Sequence, residues 1–188
     1  MLLQIAQQFT LTVKKPLKKF AMSWTRRLKI LKPAILYKDE ITKKMCENMY
    51  STNMMFYTGW IGFDPPEISL NSNGANYKYA ILDKGEVVGY FTYVIDWYSS
   101  QARCFGLYSF SKGNKRIGID VYRELKKIIN EYKIHRIEWT MVGGNPVEKH
   151  YDKFCRRYNG NKFILTDAIK DHYGNYHNNV IYEIVFNN

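Results

Sequence analysis

The chain has 188 residues and a net charge of +11, and its 46% hydrophobic and 16% aromatic content excludes a disordered polymer and allows one domain with a core. No apolar run approaches the ~18–20 residues that span a bilayer, and the uncharged start from Met1 to Val13, broken by Gln4, Gln7 and Gln8, is not the pattern of a secretory signal. Cys46, Cys104 and Cys155 are odd in number and lack metal-ligand spacing, so free thiols in a reducing, cytoplasmic compartment are expected.

The positive charge is concentrated early. Residues 1–49 hold eleven Lys or Arg against Asp39, Glu40 and Glu47, whereas the other 139 residues hold 17 basic and 14 acidic side chains. Such a block suits a polyanion (nucleic acid, anionic lipid or an acidic partner), or it is a solvated helix face that keeps the chain soluble. Leu17, Phe20, Ala21, Trp24, Leu28 and Leu31 fall at helical spacing between Pro16 and Pro33 and predict an amphipathic helix. A second helix is expected near 39–51, with Asp39 and Glu40 in its first turn and Ile41, Met45 and Met49 on one side. Residues 1–52 thus read as a basic helical part of one 188-residue domain. The Gly- and Pro-rich aromatic stretch from Tyr57 to Pro66 reads as a loop able to cover a substrate, or as a packed connection.

The core reads from residue 77 to 186. Tyr77–Leu82 and Val87–Ile95 alternate as strands around an Asp83–Glu86 turn. A third strand is expected at 103–110. Ile117, Val121, Leu125, Ile128 and Ile129 then mark a helix reaching about Tyr132. A strand from Arg136 to Val142, a Gly143-Gly144-Asn145-Pro146 break, a helix to about Tyr158 and a hairpin of 162–166 with 180–186 complete the order. The fold class is α/β, with a mixed, mostly antiparallel sheet flanked by helices.

Chemistry is expected first where the third strand gives way to the helix. A helix N-terminus presents unpaired N–H groups and the positive end of its dipole to phosphate oxygens. Gly113 and Gly118 would let a pyrophosphate approach the backbone, and Lys112, Lys115 and Arg116 would add neutralising charge. Many strand-to-helix loops share this composition without binding anything.

The order hairpin, strand, phosphate-loop helix, strand, helix and hairpin resembles the GNAT superfamily of acyl-CoA N-acyltransferases over residues 77–186, and phage proteins of that type in particular. Lys115-Arg116-Ile117-Gly118-Ile119-Asp120 is similar to the family's pyrophosphate loop, with Asp120 in place of its closing Gly or Ala. Val142-Gly143-Gly144-Asn145-Pro146 and the helix after it look like the region that supports the pantetheine arm and the leaving thiolate. The resemblance implies acetyl-CoA, or another acyl-CoA, bound by the strand end Tyr108-Ser109-Phe110, by Lys112, Gly113, Asn114, Lys115, Arg116, Ile117 and Gly118, and by Asn145. It implies direct attack by an amine, with backbone N–H groups near Tyr108 and Ser109 polarising the thioester carbonyl. A tyrosine would protonate the thiolate. The family's tyrosine position holds Asp152, so Tyr151 is the first choice and Tyr158 the reserve, against a purely structural role for both.

Glu138 could accept a proton through water, or simply be a half-exposed strand carboxylate that pairs with lysine. His135, His150, His172 and His177 do not form metal-ligand spacing, so no metal is expected; the Tyr-rich stretch 171–177 could hold the acceptor. Two other functions fit the same residues: a nucleic-acid-binding or DNA-base-modifying protein of this fold, and an inactive interaction protein on the scaffold.

Overall fold

The computed structural model describes residues 31–49, 67–69, 74–171 and 173–187. The chain divides into Met1–Ile30, which lies outside the described residues together with the helix expected there, and Leu31–Asn188. The aromatic loop at 57–66 is also outside them.

The second unit opens with a short edge strand, β1 (Leu31–Pro33), so Leu31, expected as the last apolar position of the first helix, instead pairs with Ile81, and a 3-10 turn follows at Ala34–Tyr37. Helix α1 (Lys38–Met49) begins where Asp39 and Glu40 meet the positive end of its dipole. It buries Ile41 and Met45. Two side chains tie it to the sheet: Lys44 Nζ donates to the Val87 carbonyl at 2.8 Å, and Glu40 Oε1 accepts the Val87 N–H at 3.2 Å.

Strands β2 (Asn76–Asp83) and β3 (Glu86–Asp96) form the expected hairpin. Lys84 and Gly85 both have positive φ, +51° and +94°, as a two-residue turn matched to the strand twist requires. Strand β4 (Gln101–Ser109) pairs antiparallel with β3 and is bulged: Cys104 and Phe105 together oppose Tyr93 alone, and Cys104 takes φ +54°. Helix α2 (Lys115–Asn130) leads to β5 (Arg136–Val142), and helix α3 (Glu148–Arg157) leads to β6 (Asn161–Lys170) and β7 (Tyr176–Val185). The sheet order is β1-β2-β3-β4-β5-β7-β6, antiparallel throughout except for β4 beside β5.

That exception shapes the molecule. β4 and β5 pair only through Gln101 with Arg136 and Ala102 with Ile137. Beyond those two rungs no register joins them, so Arg103–Ser109 and Glu138–Val142 diverge into a V that opens toward their C-terminal ends. Both helices run back against these strands: α2 joins the end of β4 to the start of β5, and α3 runs from the end of β5 to Tyr158, beside Phe186 near the β5 start.

The two faces of the sheet are packed separately. On one, α1 and the 3-10 turn cover Ala80, Val87 and Tyr90, with Tyr108 and Phe110 against the same cluster. On the other, Ile117 of α2 approaches Gly89, Glu124 accepts a hydrogen bond from the Tyr93 hydroxyl at 2.7 Å, and α3 lays Tyr151 and Phe154 against Trp139. The helices meet where Tyr122 packs edge-on against Phe154, so their seam lies over the V.

Gly160, between α3 and β6, has no room for a side chain. A Cβ there would lie 2.4 Å from the Glu183 carbonyl oxygen and 2.8 Å from Cys155 Sγ. Gly160→Ala is therefore expected to cost roughly 2–4 kcal/mol by forcing β7 or α3 to shift. Urea unfolding monitored by tryptophan fluorescence checks this as a lower midpoint at unchanged slope.

Candidate active site

The mouth of the V is framed on the β4 side by the loop from Ser109 to Asn114. Phe110 N–H is held by the Val88 carbonyl and Asn114 N–H by the Ser111 carbonyl, while Ser109 Oγ donates to the Ser111 carbonyl. Asn114 caps α2: its Oδ1 accepts the Arg116 N–H at 2.9 Å, and its Nδ2 donates to Asp83 Oδ2 at 3.0 Å, tying the loop to the β2–β3 hairpin. Ile117 N–H reaches the Asn114 carbonyl at 3.3 Å, so the Asn114, Arg116 and Ile117 amides of the expected phosphate loop already have partners in the chain. Gly113, at φ +75°, and Gly118 leave open space where a Cβ would stand. Lys112, Gly113, Lys115 and Gly118 are exposed at this helix start, whose dipole favours an anion.

Arg116 and Asp120 take positions that the sequence reading did not foresee. Asp120 is 0% exposed and lies on the sheet-facing stripe of α2 with Ile117 and Ile128, not over the loop. Arg116 Nε donates to Asp120 Oδ2 at 2.8 Å, and Arg123 stands 3.6 Å from Oδ1, which has no hydrogen-bond partner among the described residues. Burial pushes the Asp120 carboxyl up, against the two guanidinium groups. Arg116 thus neutralises a buried carboxylate, and that carboxylate leaves the outer surface of the helix start clear.

The β5 side of the mouth is the Gly143–Asn145 turn. Gly144 takes φ +82°, and Asn145 Oδ1 accepts the Val147 N–H at 3.0 Å, so Asn145 shapes the entry into α3. Below it, Trp139 stacks flat on Tyr182 at 5.0 Å and meets Tyr151 and Phe154 edge-on at 6.0 and 5.7 Å. Trp139 Nε1 is buried with no hydrogen-bond partner among the described residues. A lone buried donor beneath the helix seam is a place where a ligand carbonyl fits.

The proposed catalytic residues are not gathered in one place. Tyr151 sits in the first half of α3 against Trp139 and Tyr182, where burial pushes its phenol up to about 12. Tyr158 lies at the far end of that helix between Phe154 and Phe186, beside the closed end of the V. Glu138 is one residue past the last β4–β5 rung, on the α1 face, with Arg136 Nη2 at 2.5 Å. Arg136 also binds Glu183 Oε1 at 2.7 Å, so the carboxylate pairs with arginine and not with the lysine expected. Tyr108 packs on Tyr90 on the same face.

Sequence reasoning missed Tyr182. Its hydroxyl donates to Asp152 Oδ1 at 2.7 Å, and Lys162 Nζ bridges Asp152 at 2.9 Å and Glu148 at 2.8 Å. The alternation of Val180, Tyr182 and Ile184 was the available signal, because a core-facing tyrosine hydroxyl needs a partner. Lys162 and the Tyr182 hydroxyl hold the Asp152 carboxyl below its usual range. Its contribution to stability is therefore full above the unfolded-state value of about 4 and fades as pH falls through the folded-state value. Asp152→Ala is expected to lower stability by roughly 1–2 kcal/mol at pH 7, a gap to wild type that narrows in urea melts as pH falls below about 4.

The 171–177 stretch is built around Asp171. Its carboxylate accepts His177 Nε2 at 3.0 Å and the N–H groups of Tyr173 and Asn175, which hold it far below the usual carboxylate range. His177 and Tyr176 line a groove of about 340 Å³ with Gly144 and Glu148. No group of His, Cys, Asp or Glu among the described residues is arranged to hold a metal.

No family model matches the chain, and no curated protein sequence does. Solved structures share its fold. One is RimL, a ribosomal L7/L12 alpha-N-protein acetyltransferase in complex with coenzyme A, with a TM-score of 0.63 at 14% identity over 83% of this chain and 93% of that one. An N-acetyltransferase from Staphylococcus aureus Mu50 superposes with a TM-score of 0.58 at 11% identity, covering 78% and 91% of the two chains. A spermidine N-acetyltransferase chimera from Vibrio cholerae SpeG and hSSAT gives 0.52 at 16% identity, covering 76% and 88%. The fold is the GNAT-like one: a mostly antiparallel seven-stranded sheet with flanking helices.

Proposed function

We propose that the chain is an acyl-CoA-dependent N-acyltransferase, using acetyl-CoA or a related thioester. The observation that carries this reading is the V between β4 and β5, with a capped helix start at its mouth. Once the strands part, the β4 edge facing β5 has no strand partner, and a linear ligand with amide groups can pair with it as a missing strand would. The Trp139 donor supports the same reading from below. The superposed structure of RimL holds coenzyme A.

The thioester supplies an activated carbonyl, and the chain supplies placement and proton transfer. In the step proposed, the amine nitrogen forms the C–N bond, the C–S bond breaks, and the sulfur leaves as thiolate. Backbone N–H groups of β4 near Tyr108 and Ser109 polarise the carbonyl. Tyr151, with a phenol that stays protonated at neutral pH, donates to the sulfur. Glu138 takes the amine proton through water, with Arg136 fixing its orientation. Exposed Lys112 and Lys115, the open backbone at Gly113 and Gly118, and the entry turn at Asn145 hold the diphosphate end and the arm. No described helix is long and apolar enough to cross a membrane.

Free thiol released from acetyl-CoA, followed colorimetrically over a panel of polyamines, peptide N-termini and nucleobases, tests the reading. Thiol release that depends on one amine class is expected. No release above the protein-free rate with any of them would reject it.

A further inference from the structure

The outer surfaces of α2 and α3 carry basic charge that faces solvent. On α3, Lys149, Lys153, Arg156 and Arg157 are all exposed, and the first three fall at i, i+4 and i+7 on one stripe. On α2, Lys126 is exposed, and so is Arg123, which also stands 3.6 Å from Asp120 Oδ1. The acidic residues of the two helices face elsewhere. Asp120 is beneath α2 with Arg116, Glu124 holds the Tyr93 hydroxyl and Lys127, and Glu148 and Asp152 both bind Lys162 of β6.

The two basic rows also share a fixed frame. Arg157 Nη1 donates to the Tyr122 hydroxyl across the seam, and Lys126 Nζ lies 5.4 Å from the centre of the same ring. The helices run in the same direction and touch, which puts their axes about 8–10 Å apart. The α3 row rises about 10 Å from Lys149 to Arg156, the span of about three phosphates along one strand.

We propose that this two-helix face docks the sugar–phosphate backbone of duplex nucleic acid without reading its sequence. The chemistry of the face selects among polyanions. Single strands need an open aromatic platform, whereas Tyr122 is turned edge-on to Phe154 and flanked by Lys126 and Arg157. A lipid surface needs an apolar wedge, and the α3 stripe has none. An acidic protein would need open aromatic or aliphatic anchors at the centre of the contact, whereas the ring at the seam, Tyr122, is held by Phe154 and flanked by cations. The α3 stripe of Lys149, Lys153 and Arg156 carries no Asn or Gln to read base edges, so phosphate contact is what it serves.

The residues of this face lie outside the basic stretch 1–49 in sequence, and full-length protein tests them because that stretch is common to every variant. Binding of a fluorescent random-sequence 20-bp duplex is titrated from 50 to 300 mM salt for wild type and for the triple variant Lys149→Glu, Lys153→Glu, Arg156→Glu. The variant is expected to bind at least about 30-fold more weakly at 100 mM salt, with a salt slope smaller in magnitude by about 2–3. If charge reversal prevents folding, the triple change to Gln is read instead, with the same loss of slope expected. An unchanged slope in a folded variant overturns the proposal. So does tighter binding of wild type to a matched single strand, to poly-glutamate or to vesicles of anionic phospholipid than to the duplex.

Discussion

Gly118→Asp is expected to weaken acyl-CoA binding by roughly 10- to 100-fold while leaving the fold intact, about the value of one charge-assisted contact to phosphate. A side chain at 118 meets nothing within 4 Å in the chain itself, so the change has no core contact to damage. It would place a carboxylate on the outer surface of the α2 start, where the diphosphate is proposed to lie, and replace attraction to the dipole by repulsion. Gly118→Ala separates the two effects. Exchanging glycine for alanine inside a helix raises stability by up to about 1 kcal/mol, yet the added methyl still crowds the diphosphate. A protein that melts higher and binds the thioester more weakly is the outcome that a purely structural glycine would not give. Isothermal titration with acetyl-CoA, run beside a thermal melt, reads both.

Tyr151→Phe is expected to reduce kcat by about 10²–10⁴-fold, the usual range for a proton donor in the transition state, with acyl-CoA affinity nearly unchanged. The ring is packed edge-on to Trp139 and Tyr182, and phenylalanine keeps those contacts. Tyr158→Phe, at the closed end of the V, is expected to leave kcat within a few-fold of wild type. Single-turnover thiol release measures the chemical step directly. A Tyr158→Phe variant that fails while Tyr151→Phe works at the full rate would exchange the two assignments.

Much of the scaffold was legible because its elements carry local signals. The hairpin of β2 and β3 announces itself by alternation around Lys84-Gly85, and β5 runs from Arg136 to Val142 as its pattern implied. β1 was not legible: three residues ending in proline have no period to read, and their pairing with Tyr79–Ile81 is a tertiary event. β6 extends to Lys170, beyond the expected 166, because Asp167 at φ +52° breaks the alternation without ending the strand.

The site was legible only as a set of loops. The Gly-Lys composition between β4 and α2 located the helix start, but helical phase decided what its residues do. Asp120 follows Ile117 by three positions and precedes Glu124 by four, so it shares their sheet-facing stripe and draws Arg116 inward. The V itself left no trace in the sequence. Where two parallel strands cease to pair depends on the bulge at Cys104–Phe105 and on the packing of α2 and α3, and no single segment encodes it.

The most direct measurement is the melting temperature of the full chain with and without acetyl-CoA. At ligand concentrations about 100 times the dissociation constant, binding to the folded state adds ~2.7 kcal/mol, which for a chain of this size raises the midpoint by roughly 5–10 °C. A rise of that order, lost in Gly118→Asp, is the expected result. An identical melt at millimolar acetyl-CoA would contradict the proposal that the V between β4 and β5 is a thioester site.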